Sequence, residues 1–342
     1  SNTRSAIISV NKSKFKESGT TSNTSLNDGL TYSAYYGLRI QDREISLNYS
    51  DVNKVLAVYE SLNESNPTLD QVQFNSRANV SLNAVIGENI VGRTSKAVAR
   101  VVTNSTTSPS SSANELGVIY LTQNKLNVGE VVDFQETNIQ TEVESITFGN
   151  YKNVTSLFSL DKGQNDQYYG YSKLIKNRGS FTPSRRLLII FDHYSVSSTD
   201  NGDVFTVNSY DAERFTNDIP NIGKKLVRAS DTLDFRPRVN VFDPAVTTDK
   251  SPFDFNARTS AFDTLPTRLL APDEGSNVDV SFYLPRIDKI YLSKLGKFFI
   301  QKGTASINPR EPERLNKDEF LELGTLNLSA YFYGIEDVEV SL

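Results

Sequence analysis

Short runs of β-branched, aliphatic and aromatic residues recur along the chain, separated by Gly or polar breaks. Between Glu44 and Asn150 they read EISLNYS, KVLAVYES, AVIGENIVG, AVARVVT, LGVIYLT, VGEVVDF and TEVESITFG. Strand-length apolar segments with turn residues between them predict a β-sandwich or a small barrel. Val52, Val55, Leu56 and Tyr59 also fit one helical face, with Asp51 as an N-cap, but their β-branched content favours a strand.

Two stretches echo each other. Gly87-Glu88-Asn89-Ile90 is followed by Thr94 and the run Ala97–Val102. Gly129-Glu130-Val131-Val132 is followed by Thr137 and the run Thr141–Ile146. Both read as turn Gly, Glu, strand, polar turn, strand. Two similar hairpins in one barrel would produce this echo, and so would chance over so short a match. TNSTTSPSSSAN at 103–114 has no core residues and reads as a long exposed loop.

The pattern divides the chain into four segments. Residues 1–43, with KESGTTSNTSLNDG between AIISV and TYSAYYGL, form an extended connector or hairpin. Residues 44–152 form the barrel or sandwich. Residues 153–245 form a β-rich domain with a short helix near Asp166–Ile175, capped by Asp166. There RRLLIIFDHYSV is the strongest buried strand, and DVFTVNSY is its hairpin partner across SSTDNG. Residues 246–342 form a β-rich C-terminal domain, in which Val278, Val280, Phe282 and Leu284 alternate with period two. The expected fold is therefore mainly β and multi-domain, a small barrel or sandwich followed by further antiparallel β domains with few short helices.

Composition narrows the chemistry. Among 342 residues, Lys and Arg number 36 and Asp and Glu 41, a net charge of −5. An acidic balance disfavours a protein that grips nucleic-acid backbones. There is no Cys, which excludes disulfides, thiolate zinc sites and cysteine nucleophiles. The single histidine, His193, rules out multi-His metal sites. No Met occurs, even at position 1, so a longer or processed polypeptide is expected. No purely aliphatic-aromatic run is longer than Leu187 to Phe191, so no membrane insertion is expected.

The residues with candidate chemistry each have a plainer reading. Asp161, Asp166 and Asp192 could act as acid/base carboxylates or calcium ligands, but Asp161–Asp166 lacks the calcium-loop spacing and reads as a turn with an Asx cap. Asp192 and His193 are neighbours on a strand and point to opposite faces, so Asp192 is badly placed to orient a catalytic imidazole. In LDFRPRV, Asp234, Arg236 and Arg238 would share one face as an ion lattice. Arg286 and Asp288 invite the same reading. Arg185-Arg186 and Lys224-Lys225 are the densest basic spots, yet no aromatic residues interleave them as nucleic-acid readout would need. No Gly-rich phosphate loop is present. No catalytic, cofactor-binding or metal site is expected, and no cofactor.

From Phe158 onward an ordered series becomes specific: FSLDKGQNDQYYGYSKLI, FTPSRRLLIIFDHYS, DVFTVNSY, TLDFRPRV and SFYLPRIDKIYLSKLGKFFIQKG. It resembles a segment of large virion structural proteins of T4-like bacteriophages, especially phages of marine cyanobacteria. Upstream, SDVNKVLAVYES and IGENIVGRTSKAVARVV resemble the barrel-like part that precedes it. The likeness runs from near Glu44 to near Ala330, about 85% of the chain. The chain departs from it in the longer Ser/Thr loop at 103–114. The motifs contain no catalytic residues to carry over.

What the resemblance implies is a non-enzymatic structural component of a virion, in the contractile-tail baseplate or fibre network, partnered by other tail or baseplate proteins in an oligomeric assembly. The alternative is a host-surface adhesin or tail-fibre segment that stacks glycan rings on the tyrosines of QYYGYS and SAYYG. A polysaccharide-degrading enzyme would need two carboxylates at glycosidase spacing, and no pair stands out.

Overall fold

A computed structural model describes residues 4–12, 36–75, 80–104, 114–195, 221–222, 227–228, 236, 238–243, 250–258, 273, 275, 277, 282–330 and 338–341. The chain divides into two compact units. One comprises Ser5–Ser195 and Pro237–Thr264; the other comprises Ser1–Arg4, Val196–Arg236 and Leu265–Leu342.

The first unit carries β1 (Arg4–Lys12), β2 (Glu44–Ser50), β3 (Val52–Ser61), β4 (Asp70–Phe74), β5 (Asn89–Gly92), β6 (Val98–Thr103) and β7 (Glu115–Tyr120). It continues with β8 (Val131–Phe134), β9 (Gln140–Thr147), β10 (Tyr151–Asn153), β11 (Phe158–Asp161), β12 (Tyr171–Lys176) and β13 (Leu187–Ser195). Strands β4 to β9 close a six-stranded barrel in the order β4-β7-β6-β5-β8-β9. Val72, Phe74, Ile90, Ala99, Val101, Leu116, Val118, Val132, Phe134 and Val143 alternate inward and fill it.

The barrel begins later than the sequence pattern suggests. EISLNYS and KVLAVYES, expected within it, pair elsewhere: β2 lies beside β12, and β3 lies between β13 and β10. The order β1-β13-β3-β10 makes one sheet and β11-β12-β2 a second. The pairings explain this choice, since Leu174 lies opposite Ile45 and Ile189 opposite Val58. The run from Val52 is a strand, as its β-branched residues predict. The four-residue helix α1 (Val80–Asn83) lies between β4 and β5.

The run LLIIF explains how the layers stack. Leu187, Ile189 and Phe191 enter the core between the two sheets, with Ile45, Leu47, Val58 and Phe158. Leu188 and Ile190 point the other way and pack with Ala57 and Tyr59 against Leu69, Val102 and Ile119 of the barrel region. A strand buried on both faces needs apolar residues at every position, and hence a continuous run.

The helix expected near Asp166–Ile175 is absent. Tyr171–Lys176 is instead the middle strand of its sheet, paired with β11 on one side and β2 on the other. Tyr171 and Leu174 are buried there, and cross-strand pairing overrides the local capping signal. A 3-10 turn, Thr155–Leu157, precedes β11, and another spans Phe255–Ala257.

The second unit carries β14 (Asn221–Ile222) paired with β15 (Val227–Arg228), and the antiparallel sheet β17-β16-β18-β19. Its strands are β16 (Arg286–Ser293), β17 (Phe298–Gln301), β18 (Phe320–Leu328) and β19 (Val338–Ser341). Of the expected alternation, Val278 and Val280 lie outside the described residues. Phe282 and Leu284 precede β16 and are exposed. DVFTVNSY, its turn SSTDNG, most of the 103–114 loop, Asp234 and Lys224-Lys225 also lie outside the described residues.

Candidate functional site

The barrel's two echoing hairpins are equivalent in detail. Gly87 and Gly129 have φ of 98° and 81°, and Lys96 and Asn138 have φ of 57° and 56°. Glu88 and Glu130 are buried. Glu130 accepts hydrogen bonds from the backbone N–H of Asn127 (2.6 Å), Thr94 (3.1 Å) and Ser95 (2.9 Å) and from the Ser95 hydroxyl (2.8 Å). Glu88 accepts from the N–H of Val85 (2.7 Å), Glu136 (3.4 Å) and Thr137 (3.2 Å) and from the Thr137 hydroxyl (3.1 Å). Each donor has its counterpart in the other repeat, and the two strands β5 and β8 pair with each other. The echo in the sequence is thus a repeat in three dimensions. Burial alone would raise the Glu130 pKa, but its hydrogen bonds outweigh that and hold the carboxyl below its ordinary value.

Asp192 and His193 diverge, as strand geometry requires. Asp192 is buried and continues the barrel-facing set of Leu188 and Ile190. Its carboxylate lies 3.3 Å from the Arg100 guanidinium on β6 and 3.8 Å from Lys54 Nζ. His193 lies on the opposite face, its ring 4.9 Å from that of Tyr49 and 6.5 Å from that of Phe191. Its Nδ1 is 3.0 Å from the Tyr194 carbonyl oxygen. That oxygen only accepts, so Nδ1 carries the hydrogen. Burial pushes the imidazole pKa down, against smaller opposing effects of this carbonyl and of Asp51.

Arg238 pairs with Asp51. Its Nε and Nη2 donate to one Asp51 oxygen at 2.9 and 2.6 Å, both residues are buried, and the guanidinium lies 4.8 Å from the centre of the Tyr169 ring. Asp51 itself has φ of 54°, at the corner between β2 and β3. Backbone bonds from Val239 to Tyr169 and from Phe242 to Asn48 continue the attachment. Arg238 is thus engaged in an internal ion pair. The face-sharing lattice with Asp234 lies outside the described residues.

Most of the remaining candidates have partners within the fold. Asp161 accepts from the Gly163 N–H at 2.9 Å, an Asx turn, and lies 3.7 Å from Lys173. Asp166 is exposed. Arg286 donates to both oxygens of the buried Asp288 at 3.1 and 3.2 Å, and Asp288 also accepts from the Gly303 N–H. The Arg185 N–H donates to Glu60, its guanidinium donates to the Leu62 carbonyl, and Arg186 donates to Asn66. Within QYYGYS, Tyr169 and Tyr171 are buried and Tyr168 accepts from Arg258. Tyr36 of SAYYG is exposed and its ring sits 5.8 Å from that of Phe253.

One cluster was not foreseen. Buried Asp70 accepts from the Gly149 N–H at 2.7 Å and from Lys125 Nζ at 3.0 Å, and Lys125 also lies over the rings of Tyr120 and Phe148. Beside it, Tyr59 and Tyr151 stack with ring centres 3.9 Å apart. Burial raises the phenols of Tyr59 and Tyr120 to about 12 and that of Tyr151 further. Such phenols stay neutral at ordinary pH and suit packing better than proton transfer. These residues come from four separate runs, so no local motif announces them. Among the described residues, no group of three His, Asp or Glu side chains could hold a metal ion.

No family model matches the chain, and no curated protein or solved structure is significantly similar to it.

Proposed function

We propose that this protein is a non-enzymatic structural component of a phage virion, working in the baseplate or fibre network of a contractile tail. The observation that carries the reading is the ordered motif series from Phe158 to Gly303. Within it, FSLD, LLIIFDHYS, RIDKIYLS and FFIQ fall on β11, β13, β16 and β17. Those parts of the series therefore form strands that pair within the fold, as a scaffold's would. Asp51–Arg238 and Arg100–Asp192 support the same reading, because each joins chain segments far apart in sequence. The adhesin alternative loses two of its stacking platforms, since Tyr169 and Tyr171 are buried. Mass spectrometry of purified particles of the encoding phage tests the proposal. The protein is expected at a fixed ratio to known tail proteins; its absence from intact particles would overturn the reading.

A further inference from the structure

The barrel is two-fold in its backbone as well as in its buried glutamates. Residues 70–103 supply β4, β5 and β6, and residues 115–147 supply β7, β8 and β9. An offset of 42 residues, that between Glu88 and Glu130, carries one hairpin onto the other. The Gly87 N–H donates to the Val101 carbonyl at 2.9 Å, and the Gly129 N–H to the Val143 carbonyl at 2.8 Å. The bond from Gly92 to Ala97 recurs as that from Phe134 to Ile139. Asn89 opposite Arg100 recurs as Val131 opposite Glu142. Where the halves meet, the Arg93 N–H donates to Val131 and the Gln135 N–H to Asn89, both at 3.0 Å, so the same offset exchanges the two bonds. Val91 and Asp133 face each other at the centre of this seam.

Neither half is complete alone. The first strand of each half pairs with strands of the other: β4 lies between β7 and β9, and β7 lies between β4 and β6. Glu88 of the first half closes a turn of the second, and Glu130 of the second closes a turn of the first. Phe74 of the first half packs edge-on against Phe134 of the second, ring centres 5.6 Å apart. What completes one half is therefore a particular strand register and a particular carboxylate, which an unrelated apolar surface does not offer. Another copy of the same chain offers both.

We infer that the barrel is an exchange interface: two copies of the chain trade halves, so that each barrel is built from residues 70–103 of one copy and 115–147 of the other. One asymmetry selects this pairing of unlike halves. Arg93 donates to both oxygens of Asp133, at 2.8 and 2.7 Å. The two-fold equivalents of these residues are Gln135 and Val91, which form no ion pair. Two first halves would set Arg93 against Val91 and lose the pair. Joined in one chain, the halves meet at an effective concentration of about 1 mM. Closure within one chain therefore wins in dilute solution, and exchange grows as copies fold together near that concentration. The inference stands independently of the virion reading.

The chain lacks Cys, so one introduced thiol per copy reports the exchange. Gln73 on β4 lies opposite Glu115 on β7. Full chains carrying Gln73→Cys and full chains carrying Glu115→Cys are mixed, unfolded in urea, refolded together at about 1 mM and oxidised. A mixture of Gln73→Cys with Ser65→Cys, an exposed position, gives the background from random collision. Exchange should give at least about tenfold more disulfide-linked heterodimer than this background. A yield no higher than background would overturn the inference. Deleting residues 104–114 from the full chain gives a second measurement. It fuses the antiparallel neighbours β6 and β7, so the two halves no longer close on each other within one chain. Sedimentation equilibrium should find this variant dimeric. A monomer that keeps the wild-type circular dichroism would overturn the inference, and if the variant fails to fold, the thiol experiment decides.

Discussion

The Glu88 carboxylate closes the turn after β8, through Glu136 and Thr137, while the Glu130 carboxylate closes the turn after β5, through Thr94 and Ser95. Each hairpin of the barrel thus supplies the acceptor that completes the other. Buried carboxylates with several N–H donors are strongly fixed, and removing one leaves those donors unpaired. Glu88→Gln and Glu130→Gln should each lower stability by about 1–3 kcal/mol, measured by urea unfolding. Because the two sites are equivalent, the two losses should be alike. Gly92→Ala should mimic the second loss, because a Cβ there would sit 2.7 Å from both Glu130 oxygens.

The same latch sets an acid limit. Folding holds the Glu130 carboxyl below its ordinary value, so folding favours the ionised form. That contribution is complete above the ordinary carboxylate range and is lost as pH falls through the lowered value. In acid titrations below pH about 4.5, the stability of Glu130→Gln should decline less steeply than that of the wild type.

His193 acts nearer neutrality. Burial holds its pKa below the ordinary 6.5, so the unfolded chain binds a proton that the folded chain refuses. Stability should therefore fall as pH drops from above 6.5 towards the depressed value. His193→Phe should flatten this part of the profile, as followed by melting temperature between pH 7.5 and 5.5.

Arg100 and Asp192 join the barrel to β13 where both side chains are largely withdrawn from water. Asp192→Ala should cost about 3–5 kcal/mol, because it strands a buried guanidinium. The paired change Arg100→Met with Asp192→Leu should recover much of that loss, since it removes both charges and keeps the volume. A double-mutant cycle in denaturant separates the coupling from the individual effects.

Much of the architecture is legible in the sequence where one local pattern has one outcome. LLIIF reads as a buried strand and is one, and the Gly-Glu echo, which chance could also produce, falls on two equivalent hairpins. The opposed directions of Asp192 and His193 follow from strand pleating alone. Partnership between distant strands was not legible. EISLNYS resembles the barrel strands in composition, and only its pairing with Tyr171–Lys176 assigns it elsewhere. That pairing also made a strand of a segment with a helix-capping Asp. Asp51 offered itself as an N-cap, and nothing local tied it to Arg238. The Asp70 cluster draws on residues from Tyr59 to Tyr151, beyond the reach of any motif.

We propose above that this chain is a fixed part of a phage particle. Cryo-electron microscopy of the intact virion tests it most directly, by fitting the closed β4–β9 barrel and the β16–β19 sheet as separate bodies. Density for both is expected within the baseplate or fibre network, in contact with several neighbouring proteins. Density confined to the free tip of a peripheral fibre, with outward-facing loops, or the absence of both bodies from the particle, would contradict it.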